Sequence, residues 1–419
     1  MDAPQTLQAG KAARGHWLTP ARLRAYPLIL LFVTLAAVLA YVLASEGLED
    51  PLGKPLGTYF SPFRAGAELA LQGEAAAVYD PQRLLEAQQA AIPGTDDVFL
   101  WPQPPVFLLL LLPFGLLPYV PGLVAWLALG FGAYALGLLR CLEGRAGTWA
   151  VLAFPGAVFC ALNSQTGLLA AGLLTAGVAQ LAARPLLAGL LLGLAGFRPE
   201  LALLACIALA AGRCWRALTA LLATLGGLVL LSLAGFGPQP WLTWWQSLPW
   251  VAEVLADGHL PWFKLVSLYG AARLPGLGLE TAIALQALIA TAALAALVWA
   301  WRKEGVPDGL KGAVLALAAL LISPLTLAYD LVLLAPALLW LAQEGGRRVW
   351  LRGERELLAA AWVLPLLGLS LAQLTQLQVA PFLVAGLLVL ALHRVRGAVR
   401  PVQDPGASGS GRPATRAAG

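Results

Sequence analysis

The sequence predicts an all-α, polytopic membrane protein of about 10–13 transmembrane or re-entrant helices. Three observations predict it. Hydrophobic residues make up 59% of the 419 positions and charged residues only 12%, against about 25% charged in a typical soluble domain. Apolar runs recur along most of the chain, many near the roughly 20 residues that cross a 30 Å hydrocarbon core. The basic residues fall in short clusters between those runs, as in cytoplasmic loops. This composition excludes a soluble globular enzyme, a disordered chain and a nucleic-acid binder. The net charge of +5 forms no basic face that tracks phosphates.

The elements follow in order. Residues 1–26 read as a cytoplasmic N-terminal arm, with Lys11, Arg14, Arg22 and Arg24 set against Asp2. The apolar run 27–44 reads as an uncleaved first span, because it is long for a signal-peptide core and lacks a clean small-residue cleavage site. Residues 46–97 hold nine of the 22 carboxylates and three basic residues, Lys54, Arg64 and Arg83. The charge contrast across the first span places the loop 46–104 on the outer face. Within it, 63–71 and 81–91 read as short amphipathic helices. Asp80 is the N-cap of the second and Pro81 its first helical residue.

The membrane domain spans 27–395. After the loop, apolar segments run at 106–118, 119–139, 147–162, 167–183, 185–197, 200–212, 217–236, 279–301, 310–328, 329–343, 357–374 and 379–393. Several are short, which is tolerated where protein encloses them. Clusters such as Arg213/Arg216, Arg302/Lys303 and Arg347/Arg348 mark inner loops. The resulting parity requires either that 106–118 does not fully cross or that 147–162 is re-entrant. Residues 238–264 form an outer stretch with five tryptophans, read as an interfacial anchor or as a platform for a lipid or sugar ring. Residues 396–419 read as a cytoplasmic tail, disordered where Gly, Ser, Pro and Ala dominate.

Polar groups at membrane depth are costly and tend to be functional, which narrows the search for chemistry. The clusters are the loop around Tyr59 and Glu68, the double proline after Gln103, the turn around Gln165, the break at Arg198-Pro199-Glu200, and Tyr329-Asp330. Each has a plain structural reading as well: a helix end for Arg198, a helix cap for Asp330, a solvated helix face for Glu68. Cys141, Cys160, Cys206 and Cys214 form no CxxC pair, and His16, His259 and His393 lie far apart in sequence. No metal site and no cofactor are expected.

Taken in order, these clusters resemble glycosyltransferase family 87, over roughly residues 27–395. The matching features are Gly57-Thr58-Tyr59-Phe60, Tyr79-Asp80-Pro81, Pro104-Pro105, Gln165, Arg198-Pro199 and Tyr329-Asp330. The departures are Tyr59 at the family's loop aspartate, Arg198 at its lysine, Glu200 where glutamine is usual, and Gln103 where tyrosine precedes the double proline. The resemblance implies a GT-C-like fold in the bacterial cytoplasmic (inner) membrane, multi-pass, with a cytoplasmic N-terminus. It implies transfer of a sugar, a mannose-like hexose or a pentose, from a polyprenyl-phosphate donor to a lipid or glycan acceptor, with membrane lipids as the other partners.

In that chemistry a cation must hold the phosphate as the glycosidic bond breaks. Arg198 is suited to it, since guanidinium pairs phosphate bidentately, with Gln165 and Glu200 beside it. The acceptor hydroxyl needs a base. Tyr59 occupies the expected position, and Glu68 and Asp80 are the nearest loop carboxylates. Gln103, Tyr329 and Asp330 complete the expected site. Two other readings stay open: a non-catalytic relative that binds or moves a lipid-linked sugar, and a secondary transporter. The transporter reading lacks an internal repeat.

Overall fold

The computed structural model describes residues 19–51, 53–96, 99, 101–144 and 147–399. Lys11 and Arg14 of the expected arm, Asp97 and Leu100 of the loop, and the tail from 400 lie outside the described residues, while residues 396–399, expected in the disordered tail, continue the last helix. Helix α1 (Pro20–Leu43) starts seven residues before the apolar run, because Thr19 caps it by accepting from the Arg22 N–H and Pro20 is preset for the first turn. The loop carries α2 (Phe60–Leu71) and α3 (Pro81–Ala91). The side chain of Asp80 accepts from the N–H groups of Gln82 (3.0 Å) and Arg83 (3.3 Å), so the expected cap is present.

The bundle then runs through α4 (Val106–Gly115), α5 (Tyr119–Cys141), α6 (Thr148–Leu152), α7 (Pro155–Leu162), α8 (Gly167–Ala179), α9 (Pro185–Leu194), α10 (Pro199–Ala211) and α11 (Trp215–Phe236). It continues through α12 (Gln239–Asp257), α13 (Leu268–Arg273), α14 (Leu279–Trp301), α15 (Asp308–Ile322), α16 (Leu334–Arg347), α17 (Glu354–Thr375) and α18 (Ala380–Val399). No strand occurs among the described residues. Six helices are long and apolar enough to cross a membrane: α1, α5, α11, α14, α17 and α18. Five shorter apolar segments accompany them. At 1.5 Å per residue, a 13-residue helix such as α8 is only about 20 Å long. Such a helix leaves irregular backbone at membrane depth, which survives only where protein surrounds it. The protein is a multi-pass membrane protein.

Helix α4 is tied to the loop at both ends. Just before it, the Tyr79 hydroxyl donates to the Gln103 carbonyl (3.0 Å). Just after it, Arg64 Nε donates to the Leu117 carbonyl (3.1 Å) and the Tyr119 hydroxyl to the Leu56 carbonyl (2.7 Å). Both ends of 106–118 are therefore held by loop residues. Helix α5 leaves from the same level and reaches the opposite end, where Gln343 Nε2 donates to the Cys141 carbonyl (2.6 Å). The segment 147–162 is broken between α6 and α7, ahead of Pro155.

Tight helix contacts rest on small residues, as is usual in membranes. A Cβ on Gly172 would lie 2.4 Å from the Ala133 carbonyl oxygen, and one on Gly189 would lie 2.0 Å from that of Ala217. These glycines seat α8 on α5 and α9 on α11. Helix α15 is buried on every side from Gly312 to Leu321, which makes it the centre of the bundle. Of the five tryptophans in 238–264, Trp244 donates to the Pro102 carbonyl (3.1 Å) and Trp241 to Ser232 Oγ (3.1 Å). Trp245 is exposed. The stretch thus packs α12 onto the loop.

Candidate functional site

The site forms where the break between α9 and α10 meets the 3-10 turn Ala328–Leu333. Arg198 sits in the break, after the 3-10 turn Ala195–Phe197 and before Pro199, which starts α10. Proline disfavours helix in the residue before it, and Arg198 has non-helical φ −115° and ψ 87°. Its side chain therefore leaves the helical stack. Nε donates to Glu200 Oε1 (2.8 Å) and Nη1 donates to Asp330 Oδ1 (2.7 Å). The side chains of Arg198, Asp330 and Glu200 are 16%, 6% and 36% exposed. Asp330 is the deep anchor and Glu200 the outer one.

Asp330 is held from its own turn as well, because Oδ2 accepts from the Leu327 N–H (2.9 Å). Its neighbour Tyr329 stacks edge-on against Tyr59, with centroids 5.5 Å apart, and the two side chains share a hydrogen bond. Tyr59 also packs on Phe99 at 5.2 Å. The loop approaches the bundle at Gly57. Its φ is +70°, and a Cβ there would lie 2.8 Å from Ser164 Oγ and 2.6 Å from Leu123. Only glycine fits both the conformation and the contact.

Ser164, Gln165 and Thr166 form the turn between α7 and α8, and all three are buried. Trp126 Nε1 donates to the Ser164 carbonyl (2.7 Å) and fixes the turn from α5. Gly167 starts α8 directly against Val332 and the Tyr329 carbonyl. The Gln165 side chain has no hydrogen-bond partner among the described residues, and neither do the buried Ser164 Oγ and Gln103 Oε1. Buried polar atoms are almost always paired, so Ser164 Oγ and Gln103 Oε1 are exceptions to that rule. Phe107 packs on Phe197 at 5.9 Å, which brings the double-proline segment up to the residue preceding Arg198.

The structure therefore brings Tyr59, Gln165, Arg198, Glu200, Tyr329 and Asp330 to one region, with Gln103 at its margin. Glu68 and Asp80 are engaged elsewhere. Glu68 forms an ion pair with Arg64 at 2.6 Å along α2, and Asp80 is an exposed helix cap. Tyr79 is buried, and burial pushes its hydroxyl well above its ordinary pKa. It acts as a donor to Gln103 rather than as a base. Among the described residues no three His, Cys, Asp or Glu side chains are grouped as a metal would require.

The residues that hold the site from behind were not visible as site residues in the sequence. The last residues of α15 and the irregular backbone 323–327 leave polar groups that need partners away from water. Gln286 Nε2 donates to the carbonyls of Leu321 (2.9 Å) and Ile322 (3.0 Å). Ser267 Oγ donates to the Pro324 carbonyl (2.7 Å). Gln378 Nε2 holds the Leu265 carbonyl (2.8 Å), and Leu265 pairs with Leu327. A glutamine inside the otherwise apolar run 279–301 was the available signal for Gln286.

The fold and site define a multi-pass membrane protein with a charged, largely buried cluster where the break before α10 meets the turn before α16. A model of glycosyltransferase family 87 matches residues 101–324, more than half of the chain. The chain belongs to that family and is a membrane glycosyltransferase. The matched region contains Gln103, Gln165, Arg198 and Glu200, whereas Tyr59, Glu68, Asp80, Tyr329 and Asp330 fall outside it. No curated protein and no solved structure matches the chain.

Proposed function

We propose that the protein transfers a sugar, a mannose-like hexose or a pentose, from a polyprenyl-phosphate donor to a lipid or glycan acceptor. The reaction takes place at the outer face of the bacterial cytoplasmic membrane, with the N-terminus in the cytoplasm. The observation that carries this reading is the state of Arg198. Nε and Nη1 are anchored, while Nη2 has no partner among the described residues. A preoriented guanidinium with one open nitrogen suits a phosphate oxygen. As the bond between the anomeric carbon and the phosphate oxygen breaks, negative charge grows on that oxygen, and a fixed cation stabilises it without rearranging. The Gln165 side chain, without a partner among the described residues, offers its amide to sugar hydroxyls, and the Tyr59–Tyr329 pair offers an aromatic wall.

The non-catalytic alternative draws on Tyr59, a phenol at the loop position where the family carries a carboxylate. The test is a transfer assay on the purified full-length protein with a panel of polyprenyl-phosphate hexoses and pentoses. Release of sugar from one of them supports transfer. Binding without release favours the non-catalytic relative. Neither binding nor release across the panel removes the donor assignment.

A further inference from the structure

The acceptor hydroxyl needs a base near Arg198, and a carboxylate serves only if one of its oxygens is uncommitted. Glu68 is committed to Arg64 and Asp80 to the start of α3. Asp330 lies in the site, but both its oxygens are engaged, Oδ1 by Arg198 and Oδ2 by the Leu327 N–H, and its side chain is 6% exposed. Tyr59 and Tyr329 are phenols bonded to each other. Glu200 differs from all of these. It accepts a single hydrogen bond, through Oε1, and Oε2 has no partner among the described residues. Its side chain is 36% exposed, so it is the site carboxylate that an incoming hydroxyl can reach.

Its attachment to Arg198 also makes it responsive to the donor. Two carboxylates on one guanidinium give the cluster a formal charge of −1, which opposes an arriving phosphate. A phosphate that takes the guanidinium side-on, through Nε and Nη2, replaces Glu200 on Nε and leaves the deeper Asp330 bond on Nη1 in place. That geometry is the bidentate pairing guanidinium favours. The displaced carboxylate starts from within hydrogen-bond reach of the phosphate being bound.

We infer that Glu200 is the general base of the transfer reaction, released from Arg198 as the donor phosphate binds. The inference rests on the polyprenyl-phosphate donor reading. In the step itself, the acceptor oxygen forms a bond to the anomeric carbon while its proton passes to Glu200. The bond from that carbon to the phosphate oxygen breaks, and its electron pair leaves with the polyprenyl phosphate, held by Arg198. The role is a catalytic one, since Glu200 touches the reacting hydroxyl.

The test compares full-length wild type, Glu200→Gln and Glu200→Asp. Donor affinity for polyprenyl-phosphate mannose and a polyprenyl-phosphate pentose is measured by titration. Single-turnover sugar release is followed to water and to an octyl glycoside acceptor. Glutamine keeps the shape of the side chain and removes its basicity. The expected result is sugar release lowered by about 10²–10⁴-fold in Glu200→Gln, with donor affinity equal to or tighter than wild type. Glu200→Asp regains part of the rate. The retained affinity shows that the variant is folded. Wild-type release within tenfold in Glu200→Gln overturns the assignment of Glu200 and leaves the donor reading standing. A wild type that binds the donor and never releases sugar overturns it as well, because there is then no proton transfer to assist. A wild type that neither binds nor cleaves either donor overturns the donor reading, and the base with it.

Discussion

Arg198 and Asp330 stand 132 residues apart in the chain, and their side chains meet at 2.7 Å, both largely buried. The pair joins the break before α10 to the turn before α16. It is therefore both an anchor of the site and a structural tie, and its variants read out both roles.

Replacing Arg198 by alanine leaves the buried Asp330 without its cation. Breaking a buried pair this way costs about 3–5 kcal/mol. Arg198→Ala alone is expected to lower the melting temperature in detergent, and the double variant Arg198→Ala/Asp330→Asn should recover most of the loss. Equal stability of the single and double variants would mean that the pair contributes nothing to the fold.

Donor binding separates the roles. Arg198→Lys keeps the charge and loses the planar fork. Each charge-assisted hydrogen bond contributes about 1.5–3 kcal/mol, roughly 10–150-fold in Kd. The lysine variant is expected to bind donor at least tenfold more weakly, and the folded double variant not measurably. Titration with a polyprenyl-phosphate sugar checks this, and unchanged affinity in both would remove Arg198 from the donor site.

Glu68→Gln and Asp80→Asn are expected to keep sugar transfer within a few-fold of wild type, since Glu68 is taken by Arg64 and Asp80 by backbone N–H groups. Asp80→Ala loses a cap and about 1 kcal/mol of local stability. A hundredfold loss of rate in either conservative variant would place the base in the loop after all.

Gly57→Ala is expected to damage the site from a distance. Alanine at φ +70° is strained by about 1–3 kcal/mol, and its Cβ would collide with Leu123 and Ser164. Because the loop then cannot close on the turn before α8, transfer should fall more than melting temperature does. Parallel measurement of both checks the expectation.

Topology is read by labelling. Gln72→Cys places a thiol at the exposed end of α2, and an impermeant reagent should modify it in intact cells. The native Cys141, Cys206 and Cys214 are half-buried and Cys160 is buried, so the unsubstituted protein serves as the control. Labelling that requires lysis would reverse the orientation and move the site to the inner face.

The sequence by itself determined the class of fold and the local elements. Apolar composition and run length are sums over many residues, so they survive any error at one position. That is why a helical, multi-pass membrane protein was legible. The Asp80-Pro81 cap and the Arg198-Pro199 break were legible for a related reason, because each rests on contacts within a few residues of itself. The tertiary structure decided what those local signals do together. It tied the end of 106–118 and the start of α5 to the loop, bound Arg198 to Asp330 and Glu200, and set Gln286 beneath the carbonyls of Leu321 and Ile322. It also committed Glu68 to Arg64, leaving Glu200 as the site carboxylate with an oxygen that has no partner among the described residues. A carboxylate carries the same charge wherever it stands in the chain. Which cation it meets, and how much water reaches it, depends on helices brought together from distant segments, and only their packing decides that.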